Sequence, residues 1–154
     1  MPMVLFSLLV AFVLNALALP EALRLWRPEF VLMCTLYWLI HLTPRFGLGW
    51  AWCMGLLMDV LTQSHFGVHA LAFLVVGMVA WRNAVQLRMV GHAQSLLAIA
   101  GLLFLAVLVE QLLALLTGAP RGLGDWLRVL PSLLFWPLIA WLLGRIRAGV
   151  EMYP

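Results

Sequence analysis

The segment Ser95–Thr117 reads SLLAIAGLLFLAVLVEQLLALLT and contains a single acidic side chain, Glu110, and no basic one. Such a run is typical of a membrane-crossing helix, because a hydrocarbon core of roughly 30 Å takes about 20 helical residues. The whole chain has this character: 66% of its residues are hydrophobic and 10% are charged. Soluble domains have roughly 45–50% and 25%, so a water-facing surface could not be assembled here. We therefore expect an all-α integral membrane protein.

Six apolar runs, separated by polar residues, proline or glycine, divide the chain. They are Met3–Leu19, Pro28–Thr43, Phe46–Leu61, Phe66–Trp81, Ser95–Thr117 and Trp126–Leu143. Several have about 16 residues, or roughly 24 Å of helix, which is slightly less than the hydrocarbon core. No linker to a soluble module is visible, so residues 1–154 are predicted to form one polytopic domain of about six transmembrane helices. The first run is interpreted as a retained helix, since no Lys or Arg precedes it as in a signal peptide.

Two segments between or within these runs carry further expectations. The connection Arg82–Gln94 alternates apolar and polar residues and could form a short helix along the membrane interface. Pro131 and Pro137 interrupt the last run, so that helix is either kinked or begins only after Pro131.

All nine basic side chains are arginines, and they are scattered along the chain. This distribution lacks the basic patch that nucleic-acid binding requires. With a cytoplasmic amino terminus, five arginines fall on the inner side and four on the outer side. The inner set is Arg45, Arg82, Arg88, Arg145 and Arg147, and the outer set is Arg24, Arg27, Arg121 and Arg128. The positive-inside rule then favours two cytoplasmic termini.

The third run places four residues on one helix face. Gly47, Ala51, Gly55 and Asp59 follow one another at i+4 spacing, so three small residues and a carboxylate share a stripe. Small side chains let another backbone approach closely, which predicts a packing face. For Asp59 two interpretations remain open, a structural pairing and a role in binding a substrate or moving protons.

Glu110 is the second acid within an apolar run. A lone acid at mid-bilayer costs roughly 2.5–3.5 kcal/mol, so we expect it to be protonated, paired or turned into the bundle. Its candidate partners are Gln111, Asn15 and the helix of a partner protein. Proton-coupled transport is not favoured, because no longer series of titratable groups accompanies Asp59 and Glu110.

Signals for enzyme chemistry are weak throughout. His65, His69 and Asp59 could offer three ligands to a metal, but no HExxH motif or cysteine partner accompanies them. Cys34 and Cys53 lie inside apolar runs and are interpreted as small buried hydrophobes. Since nucleotide, phosphate and nucleophile motifs are also absent from the sequence, we expect no enzyme activity, no metal and no cofactor.

A series of short motifs resembles the rod shape-determining protein MreD family. In order they are Arg27-Pro28, Leu36-Tyr37-Trp38, Gly47, Gly49-x-Ala51-Trp52, Gly55-Leu56-x-x-Asp59, Gly67-Val68-x-Ala70-Leu71, Leu134-x-Trp136-Pro137 and Arg145-x-Arg147. From this resemblance and the stripe we assign nine residues to helix packing or partner binding. They are Arg27, Pro28, Tyr37, Trp38, Gly47, Ala51, Gly55, Asp59 and Gly67.

The resemblance implies a multi-pass protein of the bacterial inner membrane, surrounded by membrane lipid. It would act as a non-enzymatic scaffold of the elongation machinery and bind the bitopic protein MreC. The implied neighbours are RodA, penicillin-binding protein 2 and the actin-like MreB, and the process is lateral peptidoglycan synthesis that maintains rod shape. The implied fold is similar to the substrate-binding subunits of energy-coupling-factor transporters.

That fold similarity supplies the competing hypothesis, a substrate-binding subunit of a vitamin or small-molecule transporter. Its pocket would lie near the outer helix ends, with walls from Asp59, His65, His69 and Trp52. Such subunits dock their energising partner through small residues on the first helix, often in an AxxxA pattern. The instance here, Ala18–Ala22, is interrupted by Pro20, which counts against transport.

Overall fold

A computed structural model describes residues 2–16, 28–42, 47–118 and 122–151. Within these ranges the chain forms seven α-helices and one 3-10 helix, with no strand, so the all-α prediction is confirmed. The α-helices are α1 (Pro2–Ala16), α2 (Phe30–His41), α3 (Leu48–Thr62), α4 (Val68–Arg82), α5 (Ala84–Met89), α6 (His92–Leu116) and α7 (Val129–Glu151), and the 3-10 helix is Leu123–Arg128.

Two helical stretches are long and apolar enough to cross a bilayer, Ala93–Leu116 and Gly124–Ala148. The helices α1 to α4 are also apolar but shorter, with 12 to 15 residues each. Large hydrophobic side chains cover the outside of the bundle; Phe6, Leu97 and Leu134 are 66%, 73% and 74% exposed. A soluble monomer seldom exposes so much contiguous apolar surface, whereas lipid solvates it well.

Helix α2 forms the centre of the bundle. Its residues Val31–Ile40 are all buried, and it contacts α1, α3, α4, α5 and α7. A helix that is apolar on every side can either be buried in a bundle or face lipid, and α2 is the helix that this bundle buries. Its polar groups are satisfied locally or by a neighbour: the Thr35 hydroxyl donates to the Val31 carbonyl, and the Trp38 indole donates to Ser7 Oγ of α1 at 2.9 Å.

Helices α3 and α4 form the closest pair, because glycines face small residues across their contact. A Cβ atom on Gly55 would lie 2.5 Å from Ala70 Cα and 2.6 Å from the His69 carbonyl oxygen. A Cβ atom on Gly77 would lie 2.9 Å from the Ala51 side chain. Backbone atoms of α4 therefore occupy the space that a side chain at position 55 would need, and the Ala51 side chain of α3 lies in the space beside Gly77.

The expectations for the Arg82–Gln94 connection and for the last helix have different outcomes. A short helix, α5, does form within Arg82–Gln94, as predicted. The last helix begins at Val129, directly after the 3-10 helix, so a start after Pro131 is wrong. Pro131 lies in the first turn of α7, where its missing N–H would have had no intrahelical acceptor. Pro137 lies inside the same helix.

Candidate functional site

Five ionisable side chains meet at one end of the bundle, and we call them the polar cluster. They are Glu29, Asp59, His69, Glu110 and Arg128. The residues come from the start of α2, the end of α3, the start of α4, the last third of α6 and the 3-10 helix. The cluster therefore brings together segments that lie far apart in the chain.

Asp59 is 1% exposed, and its carboxylate accepts hydrogen bonds from the loop and the first turn of α4. Oδ1 accepts hydrogen bonds from the Ser64 hydroxyl at 2.8 Å and from the backbone N–H of His69 at 2.9 Å. Oδ2 accepts from the Gly67 N–H at 2.8 Å and from the Ala70 N–H at 3.3 Å. The first N–H groups of a helix lack intrahelical acceptors, so a carboxylate of α3 supplies the cap that α4 needs.

His69 lies between two carboxylates and is 4% exposed. Its Nδ1 atom is 2.9 Å from Asp59 Oδ1, and its Nε2 atom is 3.8 Å from Glu110 Oε1. The imidazole ring therefore joins the α3–α4 pair to α6. An Asp–His pair can act as a general base, but here both side chains are buried and contact each other.

Arg128 is the cation on the other side of Glu110. Its Nη2 atom lies 3.2 Å from Glu110 Oε2, and its Nη1 atom lies 2.8 Å from Glu29 Oε1. Its Nε–H also donates to the Asp125 carbonyl at 3.1 Å. Ser132 completes the connection: its hydroxyl donates to the Arg128 carbonyl and accepts from the Glu29 N–H at 3.0 Å.

The energetic consequence of this arrangement is asymmetric. Removing one partner from a buried ion pair costs about 3–5 kcal/mol, because the other charge stays buried without compensation. Glu110 is fully buried, and its carboxylate contacts both His69 and Arg128. The polar cluster therefore holds helices together, because its members contact one another across different helices.

The predicted packing stripe lies mostly inside the bundle. Ala51, Gly55 and Asp59 are buried against α4, whereas Gly47 is exposed and has open space around it. Gly67 ends the α3–α4 connection with a φ of +101°, a backbone conformation that residues with a side chain rarely adopt. Its backbone N–H donates a hydrogen bond to Asp59. The close contacts that this stripe makes are thus between α3 and α4 of the same chain.

The other assigned residues lie around α2. Tyr37 is 3% exposed, and its ring stacks on His41 with centroids 4.1 Å apart. Trp38 is 1% exposed and binds Ser7 on α1. Pro28 is buried just before α2, and Arg27 lies outside the described residues, as does the Ala18–Ala22 segment. Tyr37 and Trp38 therefore contribute to internal packing.

The partners of Glu110 differ from the candidates that the sequence suggested. Gln111 donates to the Gly122 carbonyl at 3.3 Å, and Asn15 Nδ2 makes no hydrogen bond to the described part of the chain. His69 and Arg128 are the side chains that meet Glu110 instead. Arg128 lies eighteen residues after Glu110, in the 3-10 helix that precedes α7, and this closeness in the sequence was the available signal.

The residues proposed as walls of a transporter pocket do not converge. Asp59 and His69 bind each other, but His65 is exposed and Trp52 is 47% exposed. In the ranges that the structure covers, no group of three or more His, Cys, Asp or Glu residues is placed to hold a metal ion. The geometry thus gives no support to a small-molecule site at these four positions.

Comparison with known proteins identifies the family. The sequence model of rod shape-determining protein MreD matches residues 1–146. A curated relative, rod shape-determining protein MreD of Haemophilus influenzae, is 27% identical over 150 residues, which cover 94% of this chain and 90% of the relative. No solved structure matches the chain, so the similarity to energy-coupling-factor subunits stays a prediction. Since the family match covers nearly the whole sequence, the chain belongs to the rod shape-determining protein MreD family.

Proposed function

We propose that this chain is a non-enzymatic scaffold in the bacterial inner membrane that binds MreC and supports lateral peptidoglycan synthesis. Membership of a cell-shape family gives the process. The observation that carries the molecular role is the polar cluster, in which Asp59, His69, Glu110 and Arg128 bind one another inside the bundle. A bundle whose buried ionisable groups serve its own packing is suited to holding other membrane helices.

The scaffold is proposed to be a single polytopic domain of six spans, formed by α1 to α4, α6 and α7. The four shorter helices are 12 to 15 residues long, or about 18–23 Å of helix. The bilayer would thin locally around them, at fractions of a kcal/mol per Å of mismatch. Exposed apolar side chains on every one of these helices except the buried α2 would face acyl chains or partner helices.

Both termini are proposed to lie in the cytoplasm. The polar cluster occupies one end of the bundle, and the far ends of the same helices carry exposed or partly exposed arginines. These are Arg82, Arg88, Arg145 and Arg147. At the cluster end, Arg128 forms ion pairs with Glu29 and Glu110 within the bundle. Among the residues that the structure describes, the excess of arginines at the far end favours that end as the cytoplasmic one.

MreC is the proposed direct partner, and RodA, penicillin-binding protein 2 and MreB are proposed to join the same assembly. The face of α3 that carries Ala51 and Gly55 is already occupied by α4, so the MreC helix would meet another surface. Helices α1, α6 and α7 each expose a row of large apolar residues that a helix could cover, including Phe6, Phe104 and Leu138.

Affinity purification from detergent-solubilised inner membrane tests this proposal. We expect the tagged chain to recover MreC in a constant ratio over successive wash steps. The matched control is an unrelated six-span protein carrying the same tag at the same expression level. Recovery of an ATPase pair and a vitamin in place of MreC would contradict the scaffold and support transport.

A further inference from the structure

A groove of about 430 Å³ lies on the outside of the bundle, away from the polar cluster. It runs between the end of α4, the short helix α5 and the first half of α6. Amide side chains line one end of it, and small or apolar residues line the remainder. The amides are Asn83, Gln86 and Gln94, and the apolar part includes Ala98, Gly101 and Leu105.

The groove is long enough for a hydrocarbon chain. From Gln94 to Leu105 it follows twelve residues of α6, a rise of about 16 Å. Apart from Gln94 at one end, its lining along this length is apolar, so the groove suits an extended hydrocarbon chain.

Two exposed arginines are next in sequence to lining residues at the amide end of the groove. Arg82 precedes Asn83 and Arg88 follows Leu87, and both Asn83 and Leu87 line the groove. Amide and guanidinium N–H groups donate strong hydrogen bonds to phosphate oxygens, and cations near a membrane surface attract anionic headgroups.

We propose that this groove binds one anionic phospholipid, with an acyl chain along Ala98–Leu105 and the phosphate beside Asn83, Gln86 and Gln94. Arg82 and Arg88 provide the preference for negative charge. The inference rests on the proposed membrane function and adds a bound lipid to it. Gly101 is central to the site, because a Cβ atom there would meet open space and the acyl chain can therefore approach the backbone of α6.

Native mass spectrometry on protein exchanged into equal amounts of phosphatidylglycerol and phosphatidylethanolamine tests the site. We expect retained phosphatidylglycerol to exceed phosphatidylethanolamine at least fivefold, and excess inorganic phosphate to leave it bound. Equal retention of the two lipids, or displacement by free phosphate, would overturn the proposal.

Variants locate the bound lipid. Gly101→Leu fills the groove and should lower retained phosphatidylglycerol at least fivefold, and Ala98→Leu on the same wall should do likewise. Gly49→Leu is the matched control, since Gly49 also faces open space but lies on α3 outside the groove. The double variant Arg82→Gln, Arg88→Gln should abolish the preference for the anionic lipid.

Unchanged retention in well-folded Gly101→Leu and Ala98→Leu would show that the lipid binds elsewhere. MreC recovery is measured on the same samples. A wild-type chain that shows no lipid preference but recovers MreC normally would refute the lipid site alone, whereas a wild-type chain that recovers no MreC would refute the scaffold.

Discussion

At the scale of single residues, Asp59 shows how an acid is accommodated in an apolar helix. Its oxygens accept hydrogen bonds from three backbone N–H groups and from Ser64, and one oxygen contacts His69. The first N–H groups of a helix need acceptors, and no water is available to them inside a bilayer. A side chain of a neighbouring helix can accept these hydrogen bonds instead. Of the two interpretations left open for Asp59, this geometry supports structural pairing.

Replacing Asp59 with Asn tests that role with little change in shape. The amide keeps one acceptor oxygen but points two N–H donors at a site built from donors, so at least one buried N–H loses its partner. We expect the free energy of unfolding to fall by about 1–3 kcal/mol. Thermal unfolding in lipid nanodiscs measures this, with Gln63→Glu at an exposed loop position as the control.

Glu110 gives a second prediction, in which two substitutions are compared. Gln keeps the size of the side chain and can still accept a hydrogen bond from Arg128, whereas Lys places a second cation beside Arg128. We therefore expect Glu110→Gln to retain most folded protein and Glu110→Lys to lose it. The readout is the monodisperse fraction on size-exclusion chromatography, and equal losses would contradict the ion pairing.

The acids themselves were predictable from the sequence, because a carboxylate within an apolar run must find a partner or a cavity. The partners of Glu110 were not. His69 and Arg128 lie 41 and 18 residues from Glu110, beyond helical spacing. Only the way that the helix ends come together in space decides which side chains meet Glu110.

At the scale of secondary-structure elements, the α3–α4 pair depends on the absence of side chains. Gly55 lies against the backbone of Ala70 and His69, and Gly77 lies against Ala51 and Leu39. Backbone cannot move aside as a flexible side chain can, so the contact at Gly55 sets the distance between α3 and α4. Asp59 then binds the first turn of α4 from the same face of α3.

A pair of alanine substitutions tests this contact. Gly55→Ala places a methyl group 2.5 Å from Ala70 Cα, so α3 and α4 must separate, at a cost of about 1–3 kcal/mol. Gly49→Ala on the same helix meets open space and should be neutral or stabilise the helix by up to about 1 kcal/mol. The difference in unfolding temperature between the two variants is the measurement, and equal temperatures would contradict the close contact.

The stripe on α3 could be predicted because i+4 spacing alone places residues on one face. What the face would contact could not be predicted. A face of small residues can pack against a partner protein or against a neighbouring helix of the same chain, and the sequence alone does not distinguish these two contacts. The start of α7 shows the same limit: Pro131 was compatible with a helix on either side of it.

At the scale of the whole molecule, the two ends of the bundle have different electrostatic character. Among the described residues, Arg128 forms ion pairs with Glu29 and Glu110 at the end that holds the polar cluster. Arg82, Arg88, Arg145 and Arg147 lie toward the other end. Counting arginines in the sequence gave nearly equal sides, because a count cannot distinguish a loop cation from one enclosed by carboxylates.

Reporter fusions test the orientation that follows. Green fluorescent protein fused after the last residue should fluoresce, and alkaline phosphatase fused there should be inactive, since both termini are expected in the cytoplasm. A phosphatase inserted in the α3–α4 connection at Gln63 should be active, and it serves as the opposite-side control. Phosphatase activity at the carboxyl terminus would reverse the proposed orientation.

The claim on which the rest depends is that the ionisable residues of the bundle serve its structure and not a reaction. The most direct measurement plots rod-shape complementation against the amount of folded protein in the membrane for Asp59→Asn, Glu110→Gln and Arg128→Met. We expect all three variants to fall on one curve, with shape lost only where folded protein is lost, and Arg128→Met to be the most affected. A variant that folds to wild-type levels, still recovers MreC and yet leaves cells round would contradict the claim.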